Sequence, residues 1–205
     1  LRNASNDELD WIEANGQQPG NAVIKWAVEH YKTIFKATTV NDALKAFEST
    51  RLLTALRKGP WGATQISQRI EAELQRTEGI NLKNNAPYLG LPVIIYRNDR
   101  ETGLFNGDTG IFWKDEQGEL MAWFEIKEEL TAFSVHQLPE WKPAWTLTVH
   151  RSQGSEYNNV LLVLPPEVLP VVTRELIYTG VTRAAKKCTL VANWQHFKHA
   201  VDNDV

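Results

Sequence analysis

Two spacings of apolar residues alternate along the chain, and together they predict an α/β protein. Ile66, Ile70 and Leu74 recur every four residues, which is typical of a helix that buries one face. The apolar run at 160–164 has instead the length and composition of a buried strand. The same reasoning predicts helices near 22–31, 40–47, 64–74 and 172–185, and strands near 51–56, 92–96, 145–149, 160–164 and 188–192.

The pattern changes between residues 91 and 140, where short apolar runs alternate with turns. Asn106-Gly107 is a hairpin-type dipeptide, and the turn at 115–118 is flanked by apolar runs at 111–113 and 120–124. This pattern predicts a small antiparallel β unit set inside the α/β chain.

Composition narrows the possible functions. The chain has 205 residues, of which 42% are hydrophobic, enough for one large domain or a domain with a smaller insert. The formal net charge of -3 argues against coating nucleic acid by bulk charge, although a local basic groove stays possible. Cys188 is the sole cysteine and lies in an apolar run, which favours a buried structural thiol and excludes a disulfide framework or zinc cluster.

Targeting signals are absent from the printed sequence. No stretch is long and apolar enough to cross a membrane, and residues 1–5 carry neither an initiator methionine nor a signal-peptide pattern. We therefore expect a reduced, cytoplasmic chain cut from a longer protein.

The polar segment Thr148–Glu156, with the sequence TVHRSQGSE, follows one strand and precedes another. In open α/β sheets ligands bind beyond the carboxyl ends of strands, and glycine, hydroxyl and amide groups suit phosphate oxygens. The carboxylate of Glu156 suits a ribose hydroxyl. Composition alone slightly favours the alternative of an ordinary polar turn between core strands.

Two arginines are candidates for phosphate contacts. Arg183 falls near a helix end, where the helix dipole alone explains a cation, but a planar guanidinium there also suits a transferring phosphate. Arg57 lies in a Gly/Pro-rich turn after a strand, where an ordinary turn is at least as good an explanation. The sequence contains no G-x-x-x-x-G-K-[ST] motif, so no P-loop is available to hold a triphosphate. No histidine has partners at metal-ligand spacing, and we predict no metal site.

In their order and spacing these segments resemble the C-terminal part of the RecD family, the alpha subunits of exodeoxyribonuclease V, which are superfamily 1 DNA helicases. Thr148–Glu156 resembles helicase motif V, and Tyr178–Ala184 resembles motif VI. Leu52–Gly62 resembles the stretch around motif IV, and Arg97–Asp99 and Gly103–Gly110 are typical of RecD-like helicases.

The resemblance implies an architecture. Residues 1–102 and 143–205 would form the second RecA-like helicase domain, a P-loop-NTPase-type α/β fold that lacks the P-loop. Residues 103–142 would form a small SH3-like β-barrel insertion.

It also implies roles for individual residues. Arg183 would be the catalytic arginine that reaches the γ-phosphate of ATP, and Gly154, Glu156 and Arg57 would complete the ATP-binding set. Contacts to single-stranded DNA would come from a further set of four residues: Thr148, His150, Ser152 and Asn98. The P-loop and the Mg²⁺ ligands would belong to an N-terminal helicase domain of the same protein, so we expect this chain alone to be inactive.

The implied function is the C-terminal motor domain of an ATP-dependent 5′-to-3′ DNA helicase that acts with RecB and RecC in double-strand-break repair and recombination. Three alternatives stay open. They are a stand-alone RecD-like helicase, the helicase part of a relaxase, and a non-catalytic module that binds DNA or protein.

Overall fold

The computed structural model describes residues 8–82 and 86–202, which form two five-stranded sheets and five α-helices. The helices are α1 (Asn21–Tyr31), α2 (Val40–Glu48), α3 (Ala63–Glu78), α4 (Arg174–Val181) and α5 (Trp194–Asp202). The strands are β1 (Leu9–Glu13), β2 (Thr50–Thr54), β3 (Pro92–Ile95), β4 (Thr109–Lys114), β5 (Leu120–Ile126), β6 (Glu129–Phe133), β7 (Trp141–Pro143), β8 (Thr146–Thr148), β9 (Tyr157–Val163) and β10 (Ala184–Ala192).

The first sheet is parallel, with the strand order β1-β10-β9-β2-β8. Its central strands contain short apolar runs, because the middle of a parallel sheet is covered on both faces. Leu52 and Leu53 of β2 and Leu161 and Leu162 of β9 are all fully buried. The predicted α/β fold is therefore confirmed, and the structure shows that its first sheet is parallel.

Helix α4 is shorter than its sequence pattern suggests. The helix expected over 172–185 begins at Arg174 and ends at Val181, and the strand expected at 188–192 already begins at Ala184. The reason is tertiary, since Ala184 pairs with Tyr157 at the start of β9. The Thr182 hydroxyl ends the helix by donating to the carbonyl oxygens of Tyr178 (2.9 Å) and Thr179 (3.2 Å).

The second sheet is antiparallel, with the strand order β6-β5-β4-β3-β7. Phe112 and Phe124 are buried in its core, and Phe112 meets Trp141 edge to face at 5.3 Å between ring centroids. Helix α2 packs against β4. The antiparallel sheet begins with β3, ahead of residue 103, and the domain division at 103–142 stays a prediction.

The two sheets lie in separate compact units. The first unit comprises Leu1–Val28, Ser49–Ile70 and Thr146–Val205, and the second comprises Glu29–Glu48 and Glu71–Trp145. Within residues 8–82 and 86–202, no helix combines the length and the apolar character that a bilayer crossing requires.

Candidate functional site

Arg183 lies between the end of α4 and the start of β10, where backbone carbonyls hold its side chain. Its Nε donates to the carbonyl oxygen of Thr179 at 3.2 Å, and its Nη1 donates to that of Ser155 at 3.0 Å. The side chain is half-buried. A guanidinium carries five N–H donors, and these two bonds use two of them, so the remaining donors can meet an anion.

The loop that supplies the Ser155 carbonyl is a tight turn. The Ser155 amide donates to the carbonyl oxygen of Ser152 at 3.1 Å, and Gly154 has a φ of +85°. Gly154, Ser155 and Glu156 are all exposed. The Tyr157 amide then donates to the Arg183 carbonyl at 2.8 Å. The loop and Arg183 are therefore neighbours at the amino ends of β9 and β10.

A buried cation that the sequence did not reveal lies at the same edge. Arg51 of β2 is 1% exposed, and its guanidinium carbon lies 4.7 Å from the centroid of the Tyr157 ring. An aromatic face attracts a cation electrostatically, and the attraction is stronger away from water. Arg51 lies near the start of an apolar strand, and nothing in the sequence indicated its role. It adds positive charge near the edge that carries Arg183.

Arg57 lies at the opposite end of the parallel sheet. It follows the carboxyl end of β2, is exposed, and its carbonyl accepts from the amide (3.2 Å) and the hydroxyl (3.1 Å) of Thr64. Strand β9 pairs with Ala184 at its start and with Thr54 at its end, and six residue steps at about 3.3 Å each separate these levels by about 20 Å. The structure therefore does not bring Arg57 and Arg183 to one phosphate.

The segment Thr148–Glu156 connects the two ends of the sheet. It leaves the carboxyl end of β8 at Thr148, passes through a 3₁₀ turn at Val149–Ser152, and reaches the amino end of β9 at Tyr157. The expectation that the whole loop lies beyond the carboxyl ends of strands is therefore wrong for Gly154 and Glu156. The short crossover carries them to the other edge.

The expected DNA-contacting residues of this segment differ in exposure. His150 is exposed and Thr148 is half-buried. Ser152 is fully buried, and its hydroxyl donates to the Val149 carbonyl at 2.8 Å inside the turn. Ser152 is therefore not placed to contact DNA; its hydroxyl closes the 3₁₀ turn instead.

Asn98 lies in the other compact unit, on the loop between β3 and β4. It is exposed, and its Oδ1 accepts from the amide of Asn106 at 2.7 Å. The side chain therefore already closes its own loop through one of its polar atoms.

Neither the cysteine nor a metal cluster provides a reactive centre in the described residues. Burial raises the pKa of the Cys188 thiol to about 12, which matches an inert core thiol rather than a nucleophile. Over residues 8–82 and 86–202 no three His, Cys, Asp or Glu side chains cluster in a way that could hold a metal ion.

The model of the UvrD-like helicase C-terminal domain matches residues 143–191, a range that contains β8, the loop, β9, α4 and Arg183. RecD, a subunit of the RecBCD enzyme of Haemophilus influenzae, is 34% identical over 99% of this chain and 32% of its own length. The ATP-dependent RecD2 DNA helicase of Deinococcus radiodurans is 34% identical over 66% of this chain and 19% of its own length.

A solved structure of the Pif1 helicase from Candida albicans has a TM-score of 0.46 and 16% identity, over 91% of this chain and 56% of that one. This similarity is too low to carry an argument. The chain spans about a third of the length of the RecD relatives it matches. The RecD matches and the helicase domain model together confirm that the chain resembles the C-terminal portion of RecD, with a helicase C-terminal domain that contains the Arg183 loop cluster.

Proposed function

We propose that this chain is the second motor domain of an ATP-dependent DNA helicase, and that Arg183 is its arginine finger. The observation that carries the proposal is the position of Arg183 at the amino ends of β9 and β10, bonded to the Ser155 carbonyl beside the exposed Glu156. The resemblance to RecD implies that ATP sits between two RecA-like domains, of which the second supplies an arginine to the γ-phosphate.

Arg183 acts at the phosphate end of that nucleotide. Thr179 and Ser155 fix two sides of the guanidinium, and its remaining donors point to developing negative charge on a transferring phosphoryl group. A permanently charged, planar group needs no proton transfer to do this. The buried Arg51, which lies over the Tyr157 ring, strengthens the positive potential at the same edge.

Glu156 and Gly154 serve the sugar end of the nucleotide. The exposed carboxylate of Glu156 accepts hydrogen bonds from ribose hydroxyls, and Gly154 turns the backbone that presents it. Arg57 has no part in this set, because it lies about 20 Å away at the other sheet end.

Single-stranded DNA runs past the carboxyl end of the sheet. Thr148 and the exposed His150 offer a hydroxyl and an imidazole to the sugar-phosphate backbone, contacts that carry no sequence information. Asn98 of the antiparallel unit is a further contact. The loop therefore links a nucleotide end to a DNA end within nine residues.

The triphosphate cradle and Mg²⁺ belong to an N-terminal RecA-like domain, which makes the 205-residue chain inactive by itself. The antiparallel sheet is the SH3-like insertion of this helicase. The parent protein works with RecB and RecC in double-strand-break repair. The match to RecD2 favours a stand-alone helicase as the second candidate.

The test is single-stranded-DNA-stimulated ATP hydrolysis by the full-length protein that contains this chain, with Arg183→Ala against the wild type. We expect turnover to fall by about 10³- to 10⁵-fold with nucleotide binding retained, as for arginine fingers in other phosphoryl-transfer enzymes.

Arg174→Ala, at the other end of α4, is the matched control and should retain turnover. Unchanged turnover in Arg183→Ala would mean that Arg183 only stabilises the helix end through its charge. This outcome would favour a non-catalytic binding module. DNA-independent ATP hydrolysis by the pure 205-residue chain, lost in Arg183→Ala, would contradict the expected inactivity.

A further inference from the structure

We infer that Gly154 is a positioning residue for Arg183, acting through the backbone carbonyl of Ser155. The inference rests on the proposed function and assigns to Gly154 a task other than close approach to the nucleotide. Gly154 turns the backbone, and this turn orients the Ser155 carbonyl. The carbonyl oxygen accepts a hydrogen bond from Nη1 of Arg183 at 3.0 Å.

The turn needs glycine because of its backbone angle and not because of crowding. Gly154 has a φ of +85°, a region that side chains with a β-carbon rarely adopt. A β-carbon built there would meet no atom within 4 Å. Any effect of Gly154→Ala therefore comes from the backbone relaxing away from the left-handed conformation.

The loop is anchored at both ends, so the relaxation falls on the residues between the two anchors. On its N-terminal side it is anchored by the buried Ser152, whose hydroxyl bonds to Val149 and whose carbonyl accepts the Ser155 amide. On its C-terminal side Tyr157 is fixed by pairing with Ala184. Residues 153–156 between these anchors are exposed, so a change in the backbone at Gly154 shifts the Ser155 carbonyl rather than the anchors.

Arg183 depends on that carbonyl because its other tether is local. The bond from Nε to Thr179 comes from the residue's own helix end, four positions back. Ser155 is the contact from a separate element, 28 residues away in sequence. Without it the end of the guanidinium regains rotational freedom that must be lost again in each catalytic cycle.

The experiment measures ATP hydrolysis and nucleotide affinity of the full-length protein with Gly154→Ala and Gly154→Asn. We expect Gly154→Ala to lower kcat about tenfold with KM for ATP unchanged. Gly154→Asn should recover most of the loss, because asparagine tolerates the left-handed region better than alanine does.

The matched control is Gly118→Ala in the turn between β4 and β5. Gly118 has a φ of +87° and the same open space around a built β-carbon, but it lies in the other compact unit. Its replacement should lower the melting temperature by a similar amount and leave kcat as it is. Equal losses of kcat in both variants would reduce the role of Gly154 to general stability.

The double variant Gly154→Ala/Arg183→Ala separates positioning from direct ligand contact. If Gly154 acts through Arg183, the double variant should be no slower than Arg183→Ala alone. A further loss, together with a raised KM, would overturn the inference in favour of backbone contact with the nucleotide.

Failure of this inference and failure of the proposed function give different results. A collapse of turnover in Arg183→Ala with full activity in Gly154→Ala would overturn only the positioning role. Full activity in Arg183→Ala would remove the proposed function itself, whatever Gly154→Ala does.

Discussion

The two ends of the parallel sheet use polar residues in opposite ways. At the carboxyl end the hydroxyl of Thr54 is fully buried and donates to the backbone carbonyl of Trp61. At the amino end Arg183 is half-buried, and Glu156 beside it is exposed. The buried hydroxyl at the carboxyl end therefore holds a turn together, whereas the amino end holds a charged group in place and leaves part of it exposed.

The largest expected difference between the two ends is in turnover. Arg57→Ala in the full-length protein should reduce ATP hydrolysis less than about tenfold, against the collapse expected for Arg183→Ala. The physical reason is the separation of about 20 Å between the two sheet ends. Steady-state kinetics on the two variants in parallel measure the contrast. Equal collapse in both would mean that Arg57 reaches the nucleotide and that the comparison fails.

The second expected difference is in stability. Thr54→Val removes the hydroxyl that donates to the Trp61 carbonyl at 2.7 Å and leaves that buried acceptor unmet. We expect the free energy of unfolding to fall by about 1–3 kcal/mol, measured by urea denaturation of the full-length protein.

The matched variant for that measurement is Thr64→Val. Its exposed hydroxyl also donates to a turn carbonyl, that of Arg57 at 3.1 Å, but water can replace the lost bond. Its cost should stay near 0.5 kcal/mol. Equal costs for the two variants would show that the carboxyl end is not held by its buried hydroxyl.

The smallest expected effect is a pH dependence at the start of α4. The pKa of Glu175 is lowered by a hydrogen bond from its own backbone amide and then by the Thr173 hydroxyl. A lowered folded-state pKa contributes stability that is present above the ordinary value near 4.5 and is lost as pH falls through the folded value. Glu175→Gln should therefore flatten the fall in melting temperature between about pH 5 and pH 3. Parallel melting curves for the variant and the wild type would contradict this assignment.

Elements with strong local signals could be predicted from the sequence. Helices α1 and α2 lie within one residue of their expected bounds because their apolar spacing and starting residues agree. Strands β2, β3 and β9 were found because continuous apolar runs are diagnostic of buried strands. Strand β1 and helix α5 were missed: β1 is a half-buried edge strand of mixed polarity, and its pairing with β10 is a long-range contact.

The sequence predicted only part of the candidate site. Its motifs identified Arg183, Gly154 and Glu156 as candidates, but the bond from Arg183 to Ser155 depends on the register between β9 and β10. The same long-range pairing ended α4 at Val181, against a helical pattern that continued through Arg183. The role of Arg51 was hidden because a cation inside an apolar strand becomes meaningful only once Tyr157 lies beneath it.

Gly180 allows α4 to pack closely on the parallel sheet beside the candidate site. A β-carbon at this position would lie 2.8 Å from Cδ2 of Leu162 and 3.3 Å from Cγ2 of Val149, so α4 rests on the sheet only because residue 180 has no side chain. A homologue with a larger residue at 180 should therefore carry a smaller one at 162 or 149. Covariation among these three positions would show that the spacing between α4 and the sheet has been kept constant.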